Sequence, residues 1–359
     1  MKSEKKLFLL DGFALIYRAY FAFAKNPRIN SKGIDTSAIL GFTNTLNELI
    51  RKENPTHIGV VFDTNKPTER HLEFPEYKAH RDAMPEGIRN AIKYIDRLLI
   101  AFNIPKIYKD GFEADDVIGT LAKQAEKKGY TVYMMTSDKD FAQLVSDKIL
   151  MYRPGNKWQP TTIWGVPEVL ENFNIDNVNQ VIDYLAMVGD SADNIPGIPG
   201  VGKKTAQKFL KEYKSVEGLF ANSHKLKGKM QENVASSEKI GMLCKKLVTI
   251  ITDVPIDFDE SHLKYQPVNE AKLEELFNEL EFKTLLSRMI AKNKNRIINN
   301  NLSNENNRHS SEKQFDLFND VKTQKISEIK KSNFTLVEAN SQIKNLLENI
   351  KKQKVFSIE

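Results

Sequence analysis

Three short apolar runs, each ending at an aspartate, stand out in the first half of the chain. They are "KKLFLLD" ending at Asp11, "THIGVVFD" ending at Asp63 and "TVYMMTSD" ending at Asp138. Apolar runs of this length, bounded by turn residues, are typical of buried strands. Between them, apolar residues recur at helical spacing over residues 35–54, 85–104 and 113–129. Alternating strands and helices predict an α/β fold with a mostly parallel central sheet flanked by helices.

The pattern changes twice further along the chain. From about residue 160, helical patterns and Gly/Pro turns replace the strands, and residues 291–310 hold eight asparagines with few apolar side chains. Such a stretch cannot bury enough apolar surface to offset its ordering entropy. We therefore predict an α/β core over residues 1–185, a helical lobe over 186–292, a flexible linker over 293–325 and the start of another α/β unit over 326–359.

Composition and charge limit the classes of protein to which this chain can belong. The apolar run Leu7 to Leu10 is too short for a signal-peptide core or a membrane span, so we expect a cytoplasmic protein that does not enter a membrane. Cys244 is the only cysteine, which excludes an intramolecular disulfide and a cysteine-based metal site. Residues 200–246 hold eleven lysines against four glutamates. This basic region suggests a polyanionic partner, although a single surface lysine is more often simply solvated.

Acidic side chains are concentrated where the predicted strands end. The carboxyl ends of parallel strands meet at one edge of a sheet, which is where ligands bind in open α/β folds. Nine acids occupy positions from which they could reach this edge: Asp11, Asp63, Glu113, Asp115, Asp116, Asp138, Asp140, Asp190 and Asp193. For the three in "FEADD", stabilisation of a helix start by about 0.3–1 kcal/mol per acid is the alternative explanation.

Nine carboxylates in one cleft would repel each other unless cations lie between them. Hard oxygen ligands without cysteine favour Mg²⁺, with Mn²⁺ as a substitute. The number of acids exceeds the needs of one ion. We therefore predict two metal ions about 3.5–4 Å apart, an arrangement that stabilises attacking and leaving oxygens in phosphodiester hydrolysis.

Two basic segments flank the acidic positions. In "NIPGIPGVGKKTAQKFLKEY", Gly200 and Gly202 precede Lys203 and Lys204, which predicts a tight hairpin leading into a phosphate-binding helix start; an ordinary Gly/Pro turn is the alternative. Residues 66–87 combine basic and aromatic side chains that could clamp a nucleic-acid strand by charge and stacking. These side chains are Arg70, Phe74, Tyr77, Lys78 and Arg81. A solvated surface loop is the alternative for this second segment.

Five motifs together resemble a known family. The motifs "LLDG…YRAYFAF", "VVFD…RHLEFPEYKAHR", "GFEADDVIGTLA", "TSDKDFAQLV" and "MVGDSADNIPGIPGVGKKTA" are similar in order and spacing to the 5′ nuclease domain of bacterial DNA polymerase I, within the flap endonuclease superfamily. The resemblance covers residues 5 to about 290. It implies a PIN-like 5′ nuclease fold and an enzyme that removes 5′ flaps and RNA primers from flapped, nicked or primer-bearing duplex DNA.

The resemblance also assigns roles to individual residues. It implies that Asp11, Asp63, Glu113 and Asp115 surround the first metal, whereas Asp116, Asp138, Asp140, Asp190 and Asp193 serve the second. It implies that residues 66–104 include a helical arch in which Arg70, Lys78 and Arg81 steer the scissile phosphate, with Tyr77 beside the DNA. Residues 190–206, with Gly197, Gly200, Gly202, Lys203 and Lys204, match a helix-hairpin-helix element that grips duplex DNA and in relatives also holds K⁺. Tyr17 and Arg18 match a segment near the site.

The C-terminal part resembles the start of the 3′-5′ exonuclease-like domain of polymerase I, so we expect no polymerase or 3′-5′ exonuclease activity from this chain. A polymerase module is an expected partner if the natural chain continues, and we otherwise expect a monomer. The "QFDLF" segment, with Gln314, Leu317 and Phe318, is similar to short peptides that dock on the bacterial sliding clamp. Two rival functions are a non-catalytic helix-hairpin-helix module and a smaller metal-dependent RNase.

Overall fold

The apolar runs predicted as strands form the centre of a six-stranded sheet in the computed structural model, which describes residues 4–155 and 159–289. The strands are β1 (Lys6–Asp11), β2 (His57–Val61), β3 (Lys106–Ile107), β4 (Thr131–Met135), β5 (Ile149–Arg153) and β6 (Thr162–Trp164). Their order across the sheet is β3-β2-β1-β4-β5-β6, and only β6 runs antiparallel to its neighbour. The predicted mostly parallel α/β fold is confirmed.

Helices connect the strands and continue beyond them. Those of the first half are α1 (Gly12–Ala22), α2 (Ser37–Glu53), α3 (Glu69–Glu73), α4 (Glu86–Ala101) and α5 (Ala114–Lys127). Those of the second half are α6 (Val166–Phe173), α7 (Gln180–Val188), α8 (Lys203–Tyr213), α9 (Val216–Ala221), α10 (Gly228–Ser236), α11 (Glu238–Val248), α12 (Glu260–Leu263) and α13 (Glu270–Leu280). The predicted change from strands to helices near residue 160 is therefore present.

The strand register brings the predicted acids to one edge. β1 lies between β2 and β4, and Leu10 is paired with Val60 on one side and with Met135 on the other. Asp11 is the last residue of β1, whereas β2 ends two residues before Asp63 and β4 ends three residues before Asp138. All three aspartates consequently follow the carboxyl ends of adjacent parallel strands.

The two faces of the sheet pack against separate hydrophobic clusters. Because side chains alternate along a strand, Leu7 and Leu9 of β1 enter the cluster that contains α5 and α7 to α11, whereas Phe8 and Leu10 enter the one that contains α2, α4 and α13. The first cluster is continuous from the sheet into the helical lobe. The domain boundary predicted after residue 185 is therefore not a break in packing, and it stays a prediction.

A segment without regular secondary structure, residues 249–258, returns from α11 along α5, and we call it the strap. Side chains spaced four residues apart on one face of α5 bond to its backbone. Asp116 accepts from Ile251 N–H, Thr120 from Val254 N–H and Gln124 from Phe258 N–H, while Lys128 donates to Phe258 O. These side chains take the place of a neighbouring strand, because they supply hydrogen-bond partners for backbone groups of the strap. The same bonds attach the helical lobe to α5.

Several predictions fall outside the described residues: the linker over 293–325, the unit over 326–359 and the Gln314 to Phe318 segment. In the part of the chain that the structure describes, no helix is both long enough and apolar enough to cross a membrane.

A tight turn follows α7, where Asp190 and Ile195 bond to each other through both backbone groups. Gly189 and Gly197 meet at its base with positive φ angles of 75° and 69°. A Cβ atom added to Gly197 would lie 2.6 Å from the backbone nitrogen of Gly189, so the close approach requires glycine. The bridge between Asp190 and Ile195 closes residues 190–195 into a loop rather than a helical turn.

We expect Gly197→Ala to lower the free energy of unfolding by about 2–3 kcal/mol, since it adds both a clash and an unfavourable φ. Gly202→Ala is the matched control, because a Cβ there meets no atom within 4 Å. It should cost less than about 1 kcal/mol, the scale of an altered helix cap. Urea unfolding of both variants measures the difference, and equal losses would contradict the role given to Gly197.

Candidate active site

Two acids at the start of α5, Glu113 and Asp116, cap the helix. Glu113 is the N-cap residue, and its side chain and that of Asp116 each accept a backbone N–H of the other residue in a reciprocal capping box. The Glu113 N–H to Asp116 Oδ2 distance is 3.1 Å. The helix-start explanation of "FEADD" is thus correct for these two acids. Asp115, between them in sequence, has no part in that capping box.

Backbone and hydroxyl donors orient the acids at the strand ends. Asp11 caps α1 by accepting from Ala14 N–H at 3.0 Å, and it also accepts from the Thr136 hydroxyl at 3.2 Å. Asp63 accepts from Ala114 N–H at 2.8 Å, which ties the end of β2 to the start of α5. These carboxylates are therefore held by neutral donors.

After β4 the chain turns into a short 3₁₀ helix, Lys139–Leu144, which brings two further acids together. Asp138 is its N-cap and accepts from Asp140 N–H at 3.0 Å. Asp140 Oδ1 is the one buried side-chain oxygen in the described residues without a hydrogen-bond partner. A buried carboxylate oxygen in this condition suits a cation.

Burial and the charges of neighbouring acids raise the pKa values of several carboxyl groups at this edge. Burial, followed by the charges of Asp63 and Asp138, raises the pKa of Asp11 to about 7. Burial and the charge of Asp138 likewise raise the pKa of Asp140 to about 8. The pKa of Asp115 is raised well above its usual range by burial, by Asp11 and by Asp138. The strand-end acids and the α5 acids consequently belong to one electrostatic site.

The chain's own cations neutralise part of this site. Lys139 Nζ lies 2.7 Å from Asp190. Burial by itself would raise the pKa of Asp190, but the hydrogen bond and charge of Lys139 outweigh burial, so this pKa is lowered. Lys78 Nζ lies 2.7 Å from Glu113, and Arg81 pairs with Asp193.

The segment that carries Lys78 and Arg81, residues 76–81, is docked on the loop of residues 190–194. Lys78 N–H donates to Asp193 O at 3.0 Å, Asn194 donates to Glu76 O at 2.8 Å, and the His80 imidazole donates to Ser191 O at 2.6 Å. Lys78 has a left-handed φ of 57°, so the docked geometry is needed to hold it. The predicted arch residues Lys78 and Arg81 thus lie directly over the acids.

Two predicted roles are corrected by the structure. Arg70 is buried and binds Asp116 through two bonds of 2.8 Å, so it does not face the open edge. Asp116 is fully buried, and its two oxygens accept from Arg70, Glu113 N–H and Ile251 N–H, which leaves no free direction for a metal. Arg70 is therefore not placed to steer a phosphate, and Asp116 is not an available metal ligand.

Tyr77 is also placed differently from the prediction. Its side chain is buried, 3 % exposed, and cannot stack on a nucleic-acid base. The hydroxyl instead lies 3.1 Å from Glu113 and 3.3 Å from Asp193, so it joins the α5 acids to the loop of residues 190–194. Burial and those two negative charges raise the pKa of Tyr77, which keeps it a hydrogen-bond donor.

The remaining predicted binding residues lie on α1 and at the turn that leads into α8. Gly202 is the N-cap residue of α8, and Lys203 and Lys204 in its first turn are exposed; their role in binding stays a prediction. Gly200 has a positive φ of 81° in the preceding turn. On α1, Tyr17 packs beside Phe21, and Arg18 donates to Gly155 O, so its charge is directed toward the end of β5.

Divalent metal ions fit the donor set of this edge. The Asp140 oxygen that lacks a hydrogen bond and the raised pKa values of Asp11 and Asp115 each mark a place where added positive charge would be favourable. As the side chains stand, no three His, Cys, Asp or Glu residues among those described are arranged around one ion. Lys78, Arg81 and Lys139 turn several of the carboxylates toward themselves instead.

Sequence reasoning missed the roles of Thr136, Lys139 and the Tyr77 hydroxyl. Thr136 stands two residues before Asp138 and both donates to Asp11 and accepts from Asp138 N–H. A buried threonine at the end of an apolar run was the available signal. The other two roles depend on loops that meet only in the folded chain.

Family models match both parts of the described structure. Residues 6–174 match the 5′-3′ exonuclease N-terminal resolvase-like domain, and residues 177–271 match the 5′-3′ exonuclease C-terminal SAM fold. The chain belongs to the 5′-3′ exonuclease family. It is accordingly a nuclease, and its second lobe has the helical fold of that family.

Relatives of this 5′-3′ exonuclease are DNA polymerases I. It is 40 % identical over 291 residues to DNA polymerase I of Bacillus subtilis and 37 % identical over 286 residues to that of Caldicellulosiruptor bescii. These matches cover 80 % and 79 % of this chain but 33 % of each relative. The 5′-3′ exonuclease therefore spans about a third of the length of the polymerases it matches.

Solved structures support the fold. The bacteriophage T5 5′-exonuclease with bound zinc has a TM-score of 0.58 at 23 % identity, covering 69 % of this chain and 90 % of that one. The catalytic core of Rad2 in complex with a DNA substrate has a TM-score of 0.51 at 16 % identity, covering 77 % and 88 %. At these identities the likeness concerns the fold alone.

We expect the 5′-3′ exonuclease without divalent ions to become less stable as pH rises. Asp11 and Asp140 bind protons in the folded chain up to about pH 7 and 8, whereas in the unfolded chain they lose them near 3.8. The folded state therefore holds more protons in this window, and its free energy of unfolding falls as pH increases through it. Thermal unfolding in EDTA between pH 5 and 9 measures the fall.

Added Mg²⁺ should reduce this fall, and Asp140→Asn should make it smaller, because an asparagine at position 140 cannot ionise and only the contribution of Asp11 remains. A midpoint in EDTA that does not change between pH 6 and 8.5, equally in both proteins, would contradict the electrostatic description of the site.

Proposed function

We propose that the chain is a structure-specific 5′ nuclease that uses two divalent metal ions to cut flapped, nicked or primer-bearing duplex DNA. The observation that carries the proposal is the set of incompletely neutralised acids at the carboxyl edge, among them Asp140, whose buried Oδ1 accepts no hydrogen bond from the described residues. When bound, two Mg²⁺ or Mn²⁺ ions would supply the positive charge that activates water and stabilises the leaving oxygen.

The acids divide into two sets by the elements that carry them. Asp11, Asp63, Glu113 and Asp115 come from β1, the end of β2 and the start of α5, and we assign them to one ion. Asp138, Asp140, Asp190 and Asp193 come from the 3₁₀ helix and the 190–194 loop, and we assign them to the other. Asp138 contributes to the raised pKa of Asp11 and Asp115, which supports neighbouring ions.

Positive side chains provide the contacts that a DNA phosphate requires. Lys78 and Arg81 lie above the acids, where they can exchange a carboxylate for a phosphate oxygen. Lys203 and Lys204 lie at the start of α8, whose free N–H groups and dipole favour an anion. We assign the first pair to the scissile region and the second to the duplex, with K⁺ as a further ligand of that hairpin.

The relatives support a place in DNA replication and repair. Each is a full-length DNA polymerase I, so a polymerase module acting beside this nuclease is part of the proposal. The acidic edge favours this function over a binding module, which would need only the basic lobe. The helical lobe favours it over a smaller RNase.

A labelled 5′-flap substrate tests the proposal. Cleavage should require Mg²⁺, stop in EDTA, and fall at least about 100-fold in Asp138→Ala because one ion loses a ligand. Asp147→Ala is the control, since Asp147 is exposed and precedes β5 at the opposite edge of the sheet. Cleavage that persists in EDTA would overturn the metal-dependent mechanism, and equal cutting of single-stranded RNA would favour the RNase.

Binding to duplex DNA should depend on the start of α8. Replacing Lys203 and Lys204 by alanine should weaken binding at low salt and reduce the salt dependence by about two counterions, because each lysine neutralises one phosphate. Lys264→Ala is the control, since this lysine is exposed and its backbone forms an isolated β-bridge with His57 at the amino end of β2. Fluorescence anisotropy across a salt series measures both slopes. Identical slopes would show that DNA binds elsewhere.

A further inference from the structure

Arg70 and Asp116 form a buried ion pair that we call the node. The guanidinium binds both carboxylate oxygens at 2.8 Å, and it also donates to Leu247 O at 3.0 Å and to Thr249 O at 2.8 Å. The Arg70 side chain is 8 % exposed and that of Asp116 is 0 % exposed. Burial lowers the pKa of Arg70, but the hydrogen bond and charge of Asp116 and the charge of Glu113 outweigh it, so the pKa of Arg70 is raised and the guanidinium stays charged.

Three parts of the molecule meet at the node. Arg70 belongs to α3, just before the segment that places Lys78 over the acids. Asp116 belongs to the first turn of α5. The carbonyl group of Leu247 belongs to the end of α11 in the helical lobe, and that of Thr249 to the start of the strap. A fork of five donors with fixed geometry is suited to hold three separate segments at once.

Both residues of the node contact Glu113, one of the acids of the proposed site. Asp116 Oδ2 accepts from Glu113 N–H at 3.1 Å, and Arg70 lies 3.5 Å from Glu113 Oε2. Glu113 and Asp115 share a single helical turn with Asp116. Any rotation of that turn would move both of their carboxylates.

We propose that Arg70 and Asp116 are positioning residues, which set the orientation of Glu113 and Asp115 by fixing the first turn of α5 to the arch and to the helical lobe. The inference rests on the proposed function for what those two acids do. Partners that orient metal-ligating carboxylates typically change metal affinity or activity by 10–100-fold when they are replaced. A purely structural ion pair would change only the stability of the chain.

The test compares two node variants, Arg70→Lys and Asp116→Asn, with Gln124→Leu. Gln124 bonds to the same strap two turns further along α5, at Ile256 O and Phe258 N–H, so its replacement loosens the strap away from the acids. Calorimetric Mn²⁺ affinity without DNA, kcat and KM for a flap substrate, and the unfolding midpoint are measured for each protein.

We expect the node variants to bind Mn²⁺ at least about tenfold more weakly and to lower kcat by about 10–100-fold with KM changed less than threefold. Gln124→Leu should lower the unfolding midpoint but leave Mn²⁺ affinity and kcat within about twofold. If all three variants lose kcat in proportion to their loss of stability, or if the node variants bind Mn²⁺ as the wild type does, the proposal is wrong.

The double variant Arg70→Leu with Asp116→Leu gives an independent answer, because apolar pairs often replace buried ion pairs without loss of stability. It should remain folded yet keep the weakened Mn²⁺ affinity; a stable double variant with wild-type affinity would overturn the proposal. If the double variant does not fold, the comparison of Arg70→Lys with Gln124→Leu decides. If the wild type fails to cut the flap, the proposed function fails, whereas Mn²⁺ affinity still decides the role of the node.

Discussion

Repulsion between carboxylates at the carboxyl edge of the sheet is the constraint on which the rest of the structure depends. Adjacent parallel strands deliver Asp11, Asp63 and Asp138 to one place, and α5 and the 190–194 loop add more acids. Burial, and after it the charges of neighbouring acids, raises the pKa values of Asp11 and Asp140. A fold that tolerates this arrangement must hold the acids rigidly and supply positive charge around them.

Rigidity comes from neutral donors and from long-range attachments. Thr136 and backbone N–H groups orient the strand-end acids, and the strap fixes α5 along one face from Asp116 to Lys128. Glycines at the base of the 190–194 loop allow two backbone segments to touch. The helical lobe is thereby joined to the edge of the sheet, so DNA held by that lobe would be held in register with the proposed metal site.

The positive charge has two different functions. Arg70 is buried and binds Asp116 in the first turn of α5, the turn that carries Asp115. Arg81 and Lys139 reach the acids from the surface, with side chains that are 53 % and 47 % exposed, whereas the Lys78 side chain is 17 % exposed. Exposed cations can change partners at low energetic cost, which suits groups that would contact a phosphate. The same segment of sequence thus contributes one structural arginine and two candidates for substrate contact.

The sequence by itself determined the sheet, the approach of the strand-end aspartates and the helix start at Glu113, because periodicity and capping are local properties. Only the tertiary structure separated Asp115 from Asp116. Neighbouring residues on a helix point about 100° apart, so one faces the open edge and the other the strap, and no local pattern indicates which. Tyr77 and Arg70 illustrate the same limit. Their aromatic and basic character suggested contact with DNA, but the loops that bury them come from residues more than one hundred positions away, and distant contacts of that kind are decided by packing.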